Sequence, residues 1–531
     1  MTNLSKLNPQ TLSELLTRRV AAGGIALIDR DQPVSAVALD DECRRVAQGL
    51  YDLGVREGDR VAIWLPNVPA WLACFFAVAR LGAIVVSVNT RFRSNEVADI
   101  VGRSGARVLI YWPGYRGIDF DGILRDAGVP SLRGLKTLVA YSEAGDPVIR
   151  HDDLGHPLVA YRDLVQRTPY LHDHARPDLG CLIFTTSGTT KLPKFVLHHQ
   201  ASMASHAAEA ARGFGYGDEG AITLLTVPMC GTFGMSHALS PLAGNRLLVM
   251  ITTFEVQAAA QAIKRYGVTH FPASGDIVAQ LLAASAEPMP YPSVRMVTGA
   301  RAGQSKPAQA RGLKLVGLYG SSEMQAVLSR QPMHLPPEMR EVGGGKLITA
   351  ATQVRVRDSV SGKILPHGEP GEIEFKGPSC MMGYYGNPEA TAAAFTEDGF
   401  FKTGDLGYTV GEGDYVFLSR IGDVLRLAGF LVNPMEIEAV LDTHPSVSVS
   451  QVVGIDGPRG PMPVAFVLSK NADGAIDEAA IIAHCKQKIA HYKVPHHVLA
   501  IDVFPFTPSA NGNKIQKAKL RDIAQAVLRG T

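Results

Sequence analysis

Thr185-Thr186-Ser187-Gly188-Thr189-Thr190-Lys191-Leu192-Pro193-Lys194 follows directly on the apolar run Leu182-Ile183-Phe184. Five hydroxyls, one glycine and two lysines fall within these ten residues. A strand that ends in such a loop offers hydroxyl and backbone N–H donors to the oxygens of a polyphosphate, and the lysines supply point charges. The loop is not of the Walker type, because Pro193 stands five residues after Gly188 where that pattern has Gly-Lys. Nor does the chain contain a G-x-S-x-G nucleophile elbow.

Outward from this loop the chain alternates helical and strand patterns. Leu39, Cys43, Val46, Leu50 and Leu53 recur at helical spacing, and Gly54 stands where a helix C-terminus favours positive φ. Short apolar runs follow at Val61–Leu65, Ile84–Val86 and Val108–Tyr111, with a helix through Ala70–Arg80 and a turn at Ser104-Gly105. Continuous apolar strands alternating with helices are the pattern of a parallel sheet covered on both faces. The first several hundred residues therefore read as α/β. The segment Val68–Val88 is about long enough to cross a bilayer. Pro69, Arg80 and Gly82 interrupt it, and a mid-membrane arginine is costly, so it reads as a buried helix and strand. Toward the other end the texture changes to a Gly- and Asp-rich stretch from Glu397 to Asp423 and then a shorter α+β pattern, with Asp477 placed to cap a helix from Glu478 to Ile489.

Composition bounds the function. The 531 residues carry 52 Lys plus Arg against 50 Asp plus Glu, and 46% are hydrophobic. Such a balance suits a globular protein of several domains and lacks the basic excess of a nucleic-acid binder. Cys43, Cys74, Cys181, Cys230, Cys380 and Cys485 form no C-x-x-C pair, and no H-E-x-x-H run occurs, which argues against disulfides and structural zinc. Met1–Gln10 has no apolar core of signal-peptide length. A cytoplasmic enzyme is expected. The charge is not evenly spread: from His491 onward Lys493, Lys514, Lys517, Lys519, Arg521 and Arg529 oppose only Asp502 and Asp522, so this tail carries +4 and the rest about −2. On charge alone it is a solvated basic tail.

Six blocks in order give these features a common meaning. Thr186–Lys194 resembles the T-S-G-T-T-G-x-P-K phosphate loop of the adenylate-forming superfamily of acyl-CoA synthetases, carrier-loading adenylation domains and firefly luciferases, with Lys191 in place of a glycine. Tyr319-Gly320-Ser321-Ser322-Glu323 is similar to Y-G-x-T-E, Gly383–Thr391 to G-Y-x-x-x-P-E-x-T, and Thr403–Gly407 to T-G-D-x-G. Ser419-Arg420 with Gly429–Glu438 resembles the arginine-hinge block, and Asn511–Ile515 the terminal block with the adenylation lysine. Phe195, Asn513 and Gly422 replace residues usual in these blocks, while the charged and hydroxyl positions remain.

The resemblance implies an α/β fold: a large multi-subdomain N-terminal adenylation body with parallel sheets over residues 1–421, and a small mobile α+β C-terminal domain over 422–531. It implies ATP, Mg²⁺ and CoA as cofactors and co-substrates. Carboxylate attack on the α-phosphorus brings two anions together, so catalysis is mainly alignment and charge neutralisation. By resemblance, Lys514 meets the carboxylate and α-phosphate, with Ser322 and Glu323 the other catalytic residues and Glu323 the Mg²⁺ ligand. Thr186, Ser187, Gly188, Thr189, Thr190 and Lys194 hold the β- and γ-phosphates. Gly299, Ala300, Arg301, Tyr319, Gly320, Ser321 and Phe417 surround the nucleotide, Asp405 accepts from the ribose hydroxyls, and Arg420 lies nearby. Gly429 and Phe430 line the pantetheine channel.

For the acid, the F-D-x-S segment that pairs an amino group in amino-acid adenylation domains corresponds to Phe233-Gly234-Met235-Ser236, without the Asp. Pro228-Met229-Cys230-Gly231 has Gly where many ligases carry His. An apolar aliphatic, cyclic or aryl acid is expected, lined by Met229, Gly231, Phe233, Met235 and Ala300. The alternatives are a ligase that loads an acyl carrier protein, a luciferase-like oxygenase and a non-catalytic nucleotide or acyl sensor; a homodimer is compatible with any of them.

Overall fold

The computed structural model describes residues 8–128, 130–143, 155–186, 193–273, 277–299, 305–427, 430–457, 460–471, 473–509 and 512–529. The chain forms two compact units: residues 1–353, 376–401 and 509–512 make the first, and 354–375, 402–508 and 513–531 the second. The units interleave in sequence.

In the first unit one sheet runs, in spatial order, Leu315–Val316, Met296–Thr298, His270–Pro272, Ile222–Leu225, Leu247–Met250, Ile25–Asp29, Gln32–Ser35. All neighbours are parallel except the last, antiparallel pair. A second sheet runs Gly383–Tyr384, Lys194–His199, Gly180–Thr186, Ile84–Ser87, Arg60–Trp64, Val108–Tyr111, Thr137–Ala140, Leu158–Ala160. It is parallel from Gly180–Thr186 onward, and its first two strands are antiparallel additions. The central strands are buried on both faces, as the continuous apolar runs require.

Local chemistry sets the helices. Ser35 Oγ accepts from Ala38 N at 3.0 Å to start Ala36–Asp52, and Gly54 after its end has φ 85°. Helix Pro69–Arg80 begins on proline and is buried from Ala70 to its last residue. Its one charge, Arg80, meets Asp40 Oδ1 at 3.3 Å and Asp173 Oδ2 at 3.8 Å. An arginine paired this way belongs in a protein interior; no helix among the described residues is long and apolar enough to cross a membrane. All six cysteines are free thiols. One G-x-G-x-x-G spacing, Gly215, Gly217 and Gly220, leads out of helix Gln200–Gly213 into strand Ile222–Leu225. This reverses the strand-to-helix context of a dinucleotide site.

The second unit contains strands Gln353–Arg357, Gly371–Lys376, Phe401–Gly411 and Asp414–Arg420, then a smaller α+β part. There Val447–Gly457 pairs antiparallel with Gly460–Ser469, and His497–Ala500 runs parallel beside the latter. Helix Glu478–Lys488 is capped by Asp477 Oδ1, which accepts from Ala480 N at 2.9 Å. The basic tail is more than a solvated face: Lys517 Nζ lies 2.9 Å from Glu438 Oε1, Arg521 pairs with Asp423 at 3.1 Å, and Lys493 with Glu436 at 2.5 Å.

Candidate functional site

The expected phosphate-loop residues Ser187–Leu192 lie outside the described residues, but both flanking strands are defined. Gly180–Thr186 and Lys194–His199 are antiparallel neighbours with Thr186 opposite Lys194, so the loop closes a hairpin. On the far side of Lys194–His199 lies Gly383–Tyr384, with Tyr384 opposite Val196. The Lys194 ammonium sits 4.5 Å from the centre of the Tyr384 ring, a cation–π contact. Tyr384 in turn donates its hydroxyl to Glu323 Oε1 at 3.0 Å. Two blocks far apart in sequence thus converge on one carboxylate.

Glu323 sits in the turn between the antiparallel strands Leu318–Ser321 and Gln325–Arg330. The turn is tight. A Cβ on Gly320 would lie 2.3 Å from the Ala326 carbonyl carbon, so the strands approach as only glycine permits. Ser321 Oγ accepts from Met324 N at 3.2 Å, and the Glu323 carbonyl accepts from Met381 N at 2.8 Å. The Ser322 carbonyl accepts from His198 Nε2 at 2.7 Å, and Ser322 Oγ from the Thr232 hydroxyl at 3.3 Å. Tyr319 is buried beneath the turn.

Gly299 has φ 101°, and a Cβ there would stand 2.1 Å from the Ala273 carbonyl oxygen and 3.5 Å from Phe233 Cζ. Strand Met296–Thr298 thus delivers Gly299 against Phe233. Ala300 and Arg301 lie outside the described residues. Of the expected acyl-pocket residues, Met229, Gly231 and Met235 are buried and Phe233 is half-buried. The Met229 N–H is held by Asn67 Oδ1 at 2.8 Å, whose amide donates to the Val227 carbonyl at 3.0 Å. Phe233 stands edge-on to His237 at 4.5 Å. His237 donates from Nδ1 to the Phe233 carbonyl at 2.7 Å, and its Nε2 lies 2.8 Å from Thr298 Oγ1. Burial pushes the His237 imidazole down to about 4. Position 234 cannot hold a carboxylate on this backbone, since a Cβ would lie 2.0 Å from the Pro228 carbonyl oxygen.

In the second unit, strands Phe401–Gly411 and Asp414–Arg420 place Asp405 opposite Arg420. Arg420 Nε lies 2.9 Å from the buried Asp405 Oδ1, and its Nη1 donates to the Thr403 carbonyl at 2.9 Å. Phe417 lies on the same strand, opposite Gly407. Lys514 is in strand Gly512–Ile515 and Phe430 in strand Phe430–Val432, but their side chains, like all of Gly429, lie outside the described residues. A cavity of about 900 Å³ opens elsewhere in the first unit, lined by Arg30, Trp112, Tyr115, Arg116, Thr253 and Tyr266 among others. None of the expected site residues among the described residues lines it.

Residues 17–385 match the family profile described as AMP-binding enzyme, and residues 436–511 match that of the AMP-binding enzyme C-terminal domain. The chain belongs to the AMP-binding enzyme family. The chain is an AMP-forming acid–thiol ligase, as are the CoA ligases and acyl-CoA synthetases to which it is similar. The 3-[(3aS,4S,7aS)-7a-methyl-1,5-dioxo-octahydro-1H-inden-4-yl]propanoyl:CoA ligase of Mycobacterium tuberculosis is 30% identical over 94% of this chain and 95% of its own. The 4-coumarate–CoA ligase 4 of Arabidopsis thaliana is 28% identical over 90% of this chain and 84% of its own. The anthranilate CoA ligase AuaEII, solved with anthranoyl-AMP, shares the fold with a TM-score of 0.83 at 24% identity, over 99% of this chain and 100% of its own.

Two features of this AMP-binding enzyme escape its sequence blocks. Tyr384 lies within a recognisable block, yet nothing in that block ties it to Glu323. His198 belongs to no block; its only signal is its position four residues after Lys194 on the phosphate strand.

Proposed function

We propose that the enzyme activates an apolar aliphatic, cyclic or aryl carboxylic acid as its acyl-AMP, releasing pyrophosphate, and then transfers the acyl group to the thiol of CoA. The observation that carries this reading is the convergence of Lys194, Tyr384 and Glu323 beside the phosphate-loop hairpin.

Glu323 fits a magnesium site. Its Oε1 is committed to Tyr384, its Oε2 has no hydrogen bond or ion pair among the described residues, and no group of three or more His, Cys, Asp or Glu there forms a metal cage. Magnesium is usually held by one or two carboxylates with waters and substrate phosphates, not by an all-protein cage. When bound it would neutralise phosphate charge. Tyr384 fixes which carboxylate oxygen stays free, and Lys194 adds positive charge beside the loop. Asp405, already aligned by Arg420, accepts from the ribose hydroxyls, while Gly299 and Phe233 bound the adenylate and acyl sides. Lys514 supplies the cation that lets two anions approach during adenylation. Residues 422–531 then act as a moving part that withdraws Lys514, and Gly429 leaves room for the pantetheine arm. Against an α-amino acid stands position 234, where the missing carboxylate would leave a buried ammonium unpaired.

Acid-dependent pyrophosphate release across a panel of acids, with and without CoA, tests the proposal. Release with an apolar acid, and thioester formed only with CoA, supports it. Release with amino acids alone overturns the acid class, and thioester formed only on an acyl carrier protein overturns CoA as acceptor.

A further inference from the structure

Strand Lys194–His199 presents alternate residues on one face, so Lys194, Val196 and His198 share a side. Lys194 touches Tyr384 and Val196 pairs with it; His198 reaches the other half of the Glu323 turn. His198 is fully buried, and a carbonyl can only accept, so its Nε2 carries the proton given to the Ser322 oxygen at 2.7 Å. Its Nδ1 faces Ser202 Oγ at 3.5 Å.

The turn needs holding. Gln325, the residue that resumes the strand after Glu323-Met324, has φ 65°, a left-handed conformation that costs a non-glycine residue free energy. The Gln325 side-chain amide donates to the Ser202 carbonyl at 2.8 Å. Both constraints, through His198 and through Ser202, come from the segment that continues the phosphate strand into helix Gln200–Gly213.

We propose that His198 is a positioning residue for Glu323: a buried imidazole that fixes the backbone one residue before the acid and so ties the carboxylate to the phosphate-loop strand. The inference rests on the assignment of Glu323 to magnesium made above. Losing the donor leaves the Ser322 carbonyl buried and unmatched and lets the turn relax from the geometry that leaves Oε2 free.

Calorimetric titration of the full chain with the non-hydrolysable analogue AMP-CPP, over a series of Mg²⁺ concentrations, tests this without turnover. His198→Asn, whose amide is too short to reach Ser322, is expected to raise the half-saturating Mg²⁺ by about tenfold. His198→Gln, whose amide nitrogen falls near the Nε2 position, is expected to stay within about threefold of the unchanged protein. Affinity for AMP, which lacks the β- and γ-phosphates, should be the same in all three. Equal Mg²⁺ dependence of His198→Asn and the unchanged protein overturns the proposal; so does AMP affinity falling in step, which marks a general structural loss. If neither variant folds, ¹⁵N-histidine spectra of the unchanged protein decide. An Nε2–H tautomer whose resonance moves on adding Mg²⁺ and AMP-CPP together, but not AMP, supports the proposal, and an Nδ1–H tautomer or an unmoved resonance overturns it. Failure of the underlying reading looks different: the unchanged protein would then bind AMP-CPP with no dependence on Mg²⁺.

Discussion

Tyr384 holds one oxygen of Glu323 with its hydroxyl while its ring faces Lys194, so one side chain serves two charged groups. Tyr384→Phe separates these roles. The ring contact survives and the carboxylate loses its donor, so acid-dependent pyrophosphate release should fall by about tenfold with stability changed by about 1 kcal/mol or less. Steady-state kinetics and a melting curve check both parts. Gly234 is the opposite case, a residue whose meaning is the absence of a side chain. Gly234→Asp, the change that would import an amino-acid selectivity determinant, should cost roughly 1–3 kcal/mol by overpacking against Pro228. It should yield no amino-acid-dependent pyrophosphate release; gain of such release in a normally stable variant would show that the backbone adapts. Sequence makes the chemistry-bearing residue types readable only together: Glu323 alone reads as a surface carboxylate, and six blocks in order give it a role. It hides His198 and the steric demand at Gly234, because both depend on backbone atoms brought from 124 residues away in one case and across a helix start in the other.

At the scale of elements, helix Pro69–Arg80 reads in sequence as buried, because Pro69, Arg80 and Gly82 interrupt an apolar run of bilayer length. Its proline start and buried length follow from the apolar pattern, but the partners of Arg80 come from Asp40 and Asp173, which no local pattern links to it. Without Arg80, Asp40 still pairs with Arg44 Nε at 2.7 Å and Asp173 is partly exposed, so Arg80→Ala should destabilise the protein by about 1–3 kcal/mol, read as a lowered urea midpoint. Alternating apolar strands and helices were legible because sheets buried on both faces need continuous apolar runs. The pairing of the basic tail was not, since charge counts do not reveal that Lys517 and Arg521 reach Glu438 and Asp423.

At the scale of the whole molecule, buried histidines give a pH signature. Burial depresses His198, His237 and His270 to about 4 and His206 to about 3, against about 6.5 when exposed. The unfolded chain therefore binds more protons than the folded one as pH falls below about 6.5, and stability falls with it. Urea midpoints should drop progressively from pH 7 to pH 5, with a net uptake of protons on unfolding; a flat profile would contradict the burial of these rings. The proposed catalytic roles also span the molecule, since Lys514 and Gly429 belong to the second unit and Glu323 and Lys194 to the first. If residues 422–531 serve the two half-reactions in different positions, their variants should fail separately. Lys514→Ala should reduce acyl-AMP formation by roughly 10²-fold or more, the scale of one lost electrostatic contact in a transition state. It should still convert supplied acyl-AMP and CoA to thioester. Gly429→Leu should form acyl-AMP and stall at the thiol step. Pyrophosphate exchange reads the first half-reaction and thioester formation from synthetic acyl-AMP the second. Equal loss of both in either variant would mean that one fixed arrangement performs the whole reaction, and that the sequence boundary at 421/422 marks no moving part.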